Sequence, residues 1–208
     1  MNNKQSTINK IALFGTSADP PTAGHQTILR WLAHHYDRVV VWASDNPFKE
    51  HQTSLQDRSE MLKVAIAEIE PPRDNVSLYP ELSDRRTLIT VKKAREIWGD
   101  NVEFTLVIGS DILQQITSWY RIEELLNQVK LLVVPRPGYS ITEADLNEVR
   151  NLGGNIAIAT LNAPKVSSSI YRLEGDKSVL TPAVKNYIWQ HNLYNSVEQN
   201  QYRQEEKV

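Results

Sequence analysis

Short apolar runs, set apart by stretches of helical length, constrain this chain more than any other feature. Ile11–Phe14, Val39–Ala43 and Leu131–Val134 are apolar throughout, and Phe104–Ile108 is interrupted only by Thr105. A continuous run such as Val39–Ala43 suits a strand covered on both faces, as in a parallel sheet. Val76–Tyr79 and Ile156–Ala159 read as shorter strands. Between the runs, apolar residues recur at helical spacing. Ile28, Leu29, Trp31 and Leu32 predict a helix from Ala23 to about His35. Met61, Leu62, Ala65, Ile66 and Ile69 share one face of a helix over about 56–69, stopped by Pro71-Pro72. Further helices are expected over 87–98, over 122–128, from a Thr142 cap to about Asn151, and at Ser167-Ser168-Ser169. Thr181-Pro182, an N-cap followed by proline at the first helical position, starts a last helix running to about His191.

Strand–helix alternation of this kind implies an α/β fold with a doubly wound parallel sheet. A chain of 208 residues, 40% of them hydrophobic, can build one large core. Residues 10–193 are expected to form a single domain, with 1–9 and 195–208 as flexible polar tails. The net charge of -2 argues against broad binding to nucleic acid or a membrane surface, which would need a basic excess. No apolar run approaches the roughly 20 residues of a membrane span. The polar start, Met1 to Lys10, lacks the apolar stretch of a signal peptide. Cysteine is absent, so disulfides, thiolate catalysis and Cys-ligated zinc are excluded. A cytoplasmic protein is the expectation.

Sheets of this type bind ligands at the C-terminal ends of their strands, where strand order switches. Several polar segments follow strands and should gather there. The first runs from Gly15 through Asp19, Pro20 and Pro21 to Gly24 and His25, at the head of a helix. A strand, a loop without bulky side chains and a helix N-terminus can face an anion with backbone N–H groups. The others are Asn46–Lys49, Gly109–Asp111, Arg136 and Ser167–Arg172. Neither G-x-x-x-x-G-K-[ST] nor G-x-G-x-x-G is present. Ser167, Ser168 and Ser169 set hydroxyls at a helix start with Arg172 one turn on, which suits a polyphosphate. Taken alone, the same residues also read as ordinary caps and a solvent-facing arginine. His25 alone reads equally as a capping residue.

Together these segments resemble a known family. Gly15 to His25 is similar to the G-x-[ST]-[FA]-D-P-x-[HT]-x-G-H signature of the nucleotidyltransferase superfamily, whose motif is related to that of class I aminoacyl-tRNA synthetases. Val166-Ser167-Ser168-Ser169-Ile170-Tyr171-Arg172 resembles its second signature, I-S-S-T-x-I-R. Within the superfamily, Ile108–Asp111 (I-G-x-D), Trp119–Leu125 (W-x-R-x-E-E-L) and Val133–Gly138 (V-x-x-R-P-G) resemble bacterial nicotinate-nucleotide adenylyltransferases. Asn46-Pro47-Phe48-Lys49 falls where that family carries an N-x-P-x-H-K-like loop, and Arg58 and Met61 fit the helix after it. The likeness covers roughly residues 10–192. Departures are Thr22 in place of the first histidine of H-x-G-H, Thr16 for glycine, Ala18 for phenylalanine, and Leu88-Ile89 for Ser-Tyr before Thr90.

The resemblance implies a Rossmann-like nucleotidyltransferase fold and a reaction. ATP and nicotinate mononucleotide would give deamido-NAD and pyrophosphate by direct in-line attack, with Mg²⁺ accompanying ATP. His25, Thr22 and Arg172 would be catalytic. Gly15, Thr16, Ser17, Gly24, Gly109, Asp111, Ser167 and Ser168 would join His25 and Arg172 in holding ATP, with Asp111 on a ribose hydroxyl. Lys49, Thr90, Trp119 and Arg136 would face the acceptor, Trp119 stacking on its pyridine ring. Arg85 and Arg86 read as surface charge within reach of a substrate phosphate. The resemblance also allows a homo-oligomer. Alternatives are a phosphopantetheine adenylyltransferase, favoured by T-x-G-H but not by the W-x-R-x-E-E-L and R-P-G elements, and a nicotinamide-mononucleotide adenylyltransferase. A non-catalytic nucleotide-binding protein is the alternative of another class.

Overall fold

The computed structural model describes residues 9–46, 53–161, 164 and 166–194. Six strands form one sheet: β1 (Asn9–Thr16), β2 (Arg38–Ala43), β3 (Val76–Leu78), β4 (Val102–Gly109), β5 (Lys130–Val134) and β6 (Asn155–Ile158). All pairings are parallel, in the order β3-β2-β1-β4-β5-β6. The order reverses beside β1, where Leu13 registers with Val40 on one side and Leu106 on the other. All six strands therefore end on the same edge, and the crevice lies beyond β1 and β4.

Seven α-helices are found among the described residues: α1 (Ala23–His35), α2 (Leu55–Ala67), α3 (Thr87–Trp98), α4 (Ile122–Leu126), α5 (Glu143–Asn151), α6 (Ser168–Glu174) and α7 (Pro182–Gln190). Successive side chains of a strand point to opposite faces. Ile11 and Leu13 of β1 join Val40, Leu106 and Val133 under Leu88 and Val91 of α3, Leu125 of α4 and Val149 of α5. Ala12 and Phe14 join Val39, Val41, Val107 and Leu132 under Ile28, Leu29 and Leu32 of α1. A third cluster packs Met61 and Ala65 of α2 against Tyr171 of α6 and Val184 and Ile188 of α7. Burying each such Leu, Ile or Phe contributes about 1.5–3 kcal/mol. The two main layers thus hold β1 and β4 rigid beneath the crevice.

The expected elements are present, with small shifts at their ends. α2 stops at Ala67, two residues short of the sequence reading, because Glu70 precedes Pro71 and leaves the helical region. Ile69 N–H instead closes a tighter turn on the Ile66 carbonyl. β6 is an edge strand, and its residues are half-buried or exposed. No helix among the described residues is long and apolar enough to cross a membrane.

Candidate active site

β1 delivers the chain to the crevice at Thr16, and α1 leaves it at Thr22. Gly15 is required by packing: a Cβ there would come within 2.5 Å of the Trp42 ring, a core residue of β2. His25 is the third residue of α1. Its Nδ1 accepts the Thr22 backbone N–H at 3.0 Å, while His25 N–H donates to the Thr22 carbonyl at 2.9 Å. Thr22 and His25 form a capping box, the Thr22 side chain facing the His25 N–H and the imidazole, in place of glutamate, facing the Thr22 N–H. A backbone N–H can only donate, so Nδ1 accepts, and a neutral ring carries its proton on Nε2. Nε2 lies 3.1 Å from the Thr16 hydroxyl, at the end of β1. Capping and function are therefore not alternatives for His25: the cap sets the tautomer and aims the other nitrogen. The Thr22 hydroxyl, 3.0 Å from Nδ1, is buried beside it.

The second signature lies directly on the first. Ser168 Oγ donates to the Pro20 carbonyl at 2.7 Å, and Arg172 Nη1 to the Asp19 carbonyl at 2.5 Å. Arg172 Nη2 reaches Ser169 Oγ at 3.3 Å, and Ser167 Oγ caps α6 by accepting from Ile170 N–H. The side of Gly24 that a Cβ would occupy faces Val166, 3.2 Å from that position. A glycine there admits the chain leading into α6, a reason distinct from clearance for a phosphate.

Beneath this junction Arg58 of α2 is buried. Its Nη1 donates to the Ser17 and Ser44 carbonyls, each at 2.9 Å, tying the loops after β1 and β2 together. Burial lowers the Arg58 pKa, and the nearby Asp19 and Asp45 charges oppose that shift. Asp19 is only 1% exposed. Neither residue received a role from the sequence. The D-P of the signature pointed to Asp19, but its partners lie far along the chain.

The opposite wall follows β4 and β5. Pro137 and Gly138, the latter at φ 86, form the centre of a tight turn closed by Tyr139 N–H on the Arg136 carbonyl at 3.1 Å. Proline then glycine with positive φ is the type II pattern. The turn is fixed to β4 by Ser110, whose Oγ accepts Arg136 N–H and donates to the Tyr139 carbonyl. Arg136 then folds across Gly109 to Asp111, Nη1 to Oδ2 at 2.7 Å. A Cβ at Gly109 would meet Asp111 Oδ1 at 2.3 Å and Arg136 Cδ at 2.9 Å. Asp111 and Arg136, read from sequence as contacts to two different substrates, are here a single ion pair.

Trp119 ends a 3-10 turn over Leu113–Ser118 and packs half-buried against the core. Beside it, exposed Tyr120 lies under the Arg86 guanidinium, 4.2 Å from ring centre to carbon, and Arg85 pairs with Asp45 at 3.2 Å. Thr90 is not brought to the crevice. It is buried in α3, and its hydroxyl donates to the Leu82 carbonyl at 2.8 Å, supporting the turn Pro80–Leu82. Thr90 recurs one turn into a helix whose inward face packs the core, and that period carried it inside. Lys49 lies outside the described residues.

A parallel sheet whose crevice is lined by a [HT]-x-G-H loop and a docked serine–arginine helix defines a nucleotidyltransferase. The cytidylyltransferase-like family model matches residues 13–174. A Synechocystis protein named probable nicotinate-nucleotide adenylyltransferase is 45% identical over 197 residues, 89% of this chain and 98% of that one. A Bacillus cereus protein of the same name is 31% identical over 205 residues, 91% of this chain and 100% of its own. The chain belongs to the nicotinate-nucleotide adenylyltransferase family. Its fold is shared with a Plasmodium falciparum nicotinic acid mononucleotide adenylyltransferase solved with NaAD, at TM-score 0.75 and 22% identity over 90% of this chain and 98% of that one.

Proposed function

We propose that the protein transfers the adenylyl group of ATP to nicotinate mononucleotide, giving deamido-NAD and pyrophosphate, within a nucleotidyltransferase domain over 10–193 and in the cytoplasm. The observation that carries this reading is the Thr22–His25 cap, which fixes the imidazole with Nε2 toward the end of β1, under the docked Ser168–Arg172 segment. The relatives' names favour the nicotinate acceptor.

The acceptor phosphate carries a charge of about -1.5 to -2 near neutral pH, so it attacks without a general base. One of its oxygens bonds to the α-phosphorus as the bond to the bridging β-phosphate oxygen breaks, and that electron pair leaves with pyrophosphate. The protein supplies position and positive potential for the charge that develops. His25 donates from Nε2 to an α-phosphate oxygen, and the first N–H groups of α1 face the same atom. Arg172 has five donors and spends two on Asp19 and Ser169, so it can also bind the leaving β- and γ-phosphates. Trp119 stacks its indole on the pyridine ring of the acceptor. Mg²⁺ accompanying ATP as part of the substrate would neutralise phosphate charge, beside the positive potential that Arg172 supplies.

The test is pyrophosphate release with Mg-ATP and, in turn, nicotinate mononucleotide, nicotinamide mononucleotide and phosphopantetheine. Release with the first and little with the others is expected. Preference for another acceptor reassigns the substrate, and release with none removes the enzymatic reading.

A further inference from the structure

Tyr194 belongs to none of the sequence signatures, yet it reaches the first of them. It follows α7 in left-handed backbone, φ 61, and is 6% exposed. Its ring meets Tyr171 of α6 edge-on, 5.4 Å between centroids. Its phenol donates to Asp19 Oδ1 at 2.5 Å, across 175 residues of chain. Thr53, just before α2, donates to the same oxygen at 2.8 Å, and the two hydroxyl oxygens lie 3.3 Å apart. Burial, and then the Asp19 carboxylate, push the phenol far above its ordinary range, so it remains a donor at any working pH.

This carboxylate sits at a sensitive place. Ala18, just before it, has φ 44, a left-handed conformation that a non-glycine residue keeps only when its surroundings enforce it. Three residues after it, Thr22 supplies the N–H that fixes His25. Arg172 and Ser168 hold the loop by its Asp19 and Pro20 carbonyls, whereas Tyr194 and Thr53 hold it by the Asp19 side chain. A rotation at Asp19 would move Thr22, and with it the imidazole. Packing on Tyr171 alone would be served by phenylalanine; the hydroxyl answers to Asp19, since a buried carboxylate without donors is costly.

We infer that Tyr194 is a positioning residue for adenylyl transfer: through Asp19 it holds the Ser17–Thr22 loop in the register that aims His25 at the α-phosphate. This rests on the reaction proposed above. Tyr194→Phe keeps the ring and removes the donor. It should lower kcat by about 10- to 100-fold, the scale of a small misplacement of a reacting group, and leave KM for the mononucleotide near the wild-type value. Asp19→Asn should also lower kcat, and the double variant should fall no further than the worse single one, because both act through one contact. Unchanged kcat in Tyr194→Phe, or losses that multiply in the double variant, would overturn the inference.

A second readout needs no substrate. In ¹H–¹⁵N correlation spectra of the imidazoles, Tyr194→Phe should displace the His25 resonances and leave those of His34 and His35, at the far end of α1, in place. A His25 signal that does not move would overturn the inference even if the wild-type protein released no pyrophosphate, a result that would count against the reaction alone.

Discussion

The two walls of the crevice are built differently. The wall after β1 is buried and held from a distance: Arg58, Ser168, Arg172 and Tyr194 all act on the segment Ser17–Pro20 from 41 to 175 residues away. The wall after β4 rests on more exposed pairs: Arg136 with Asp111, Tyr120 with Arg86, and Glu124 with Lys92 and Arg121. Buried hydrogen bonds to charged groups fix one geometry, whereas exposed pairs contribute little and exchange partners at low cost. The first wall suits a reacting centre that must not move. The second suits an acceptor whose arrival displaces one polar partner with another.

Substitutions can break this contrast. The largest effect is expected from His25→Ala, which should lower kcat by about 10²–10⁴-fold while ATP still binds, because its donor serves mainly the transition state. If steady-state kinetics show only a raised KM, the first wall is a binding surface like the second. Arg58→Met should come next. It removes two charge-assisted bonds between buried loops, at about 1.5–3 kcal/mol each. A fall in Tm of about 6–24 °C is expected by calorimetry for a chain of this size. A loss under about 2 °C would mean that the loops are held by other contacts.

Trp119→Ala probes the second wall. It should raise KM for the mononucleotide about 10-fold, the equivalent of one lost aromatic contact, and leave ATP affinity near normal. Equal losses for both substrates in titration calorimetry would merge the two walls into one site. Smallest is Glu124→Gln. The Lys92 ammonium, then the Arg121 guanidinium, hold this carboxyl below its ordinary value of 4.5 against the opposing pull of desolvation. A depressed carboxylate stabilises the fold above its unfolded pKa and loses that contribution as pH falls through the folded value. The Tm difference between Glu124→Gln and wild type should therefore be about 1 °C at pH 7 and vanish under acid conditions. A difference that persists in acid would assign the effect to packing.

The same contrast explains what the sequence could disclose. α1 and α3 match their expected bounds, and α5 follows its Thr142 cap, because local periodicity and capping set those ends. His25, Ser168 and Arg172 were legible as members of ordered signatures. What those residues touch was not. Asp19 looked like a turn residue and Tyr194, beyond the last expected helix, carried no signal, since their bond depends on how β1, α2 and α7 pack. Thr90 shows the converse: its place in a familiar motif suggested a ligand contact, but the α3 face it shares with Leu88 and Val91 packs inward. Asp111 and Arg136 were each legible, but their pairing depends on the turn at Gly138.

The latch between Arg172 and Asp19 spans 153 residues, and a ribosome making about 5–20 residues per second needs roughly 8–30 s to cross that distance. For that interval the nascent chain carries its first signature without the second. β1, β2 and β3 can pair early, but β4 must arrive before the crevice has two sides, and α6 before it has a roof. The crevice is thus completed as one late event in the protein's own synthesis, and a truncated product that ends before Ser168 would carry a formed sheet without the docked serine–arginine segment.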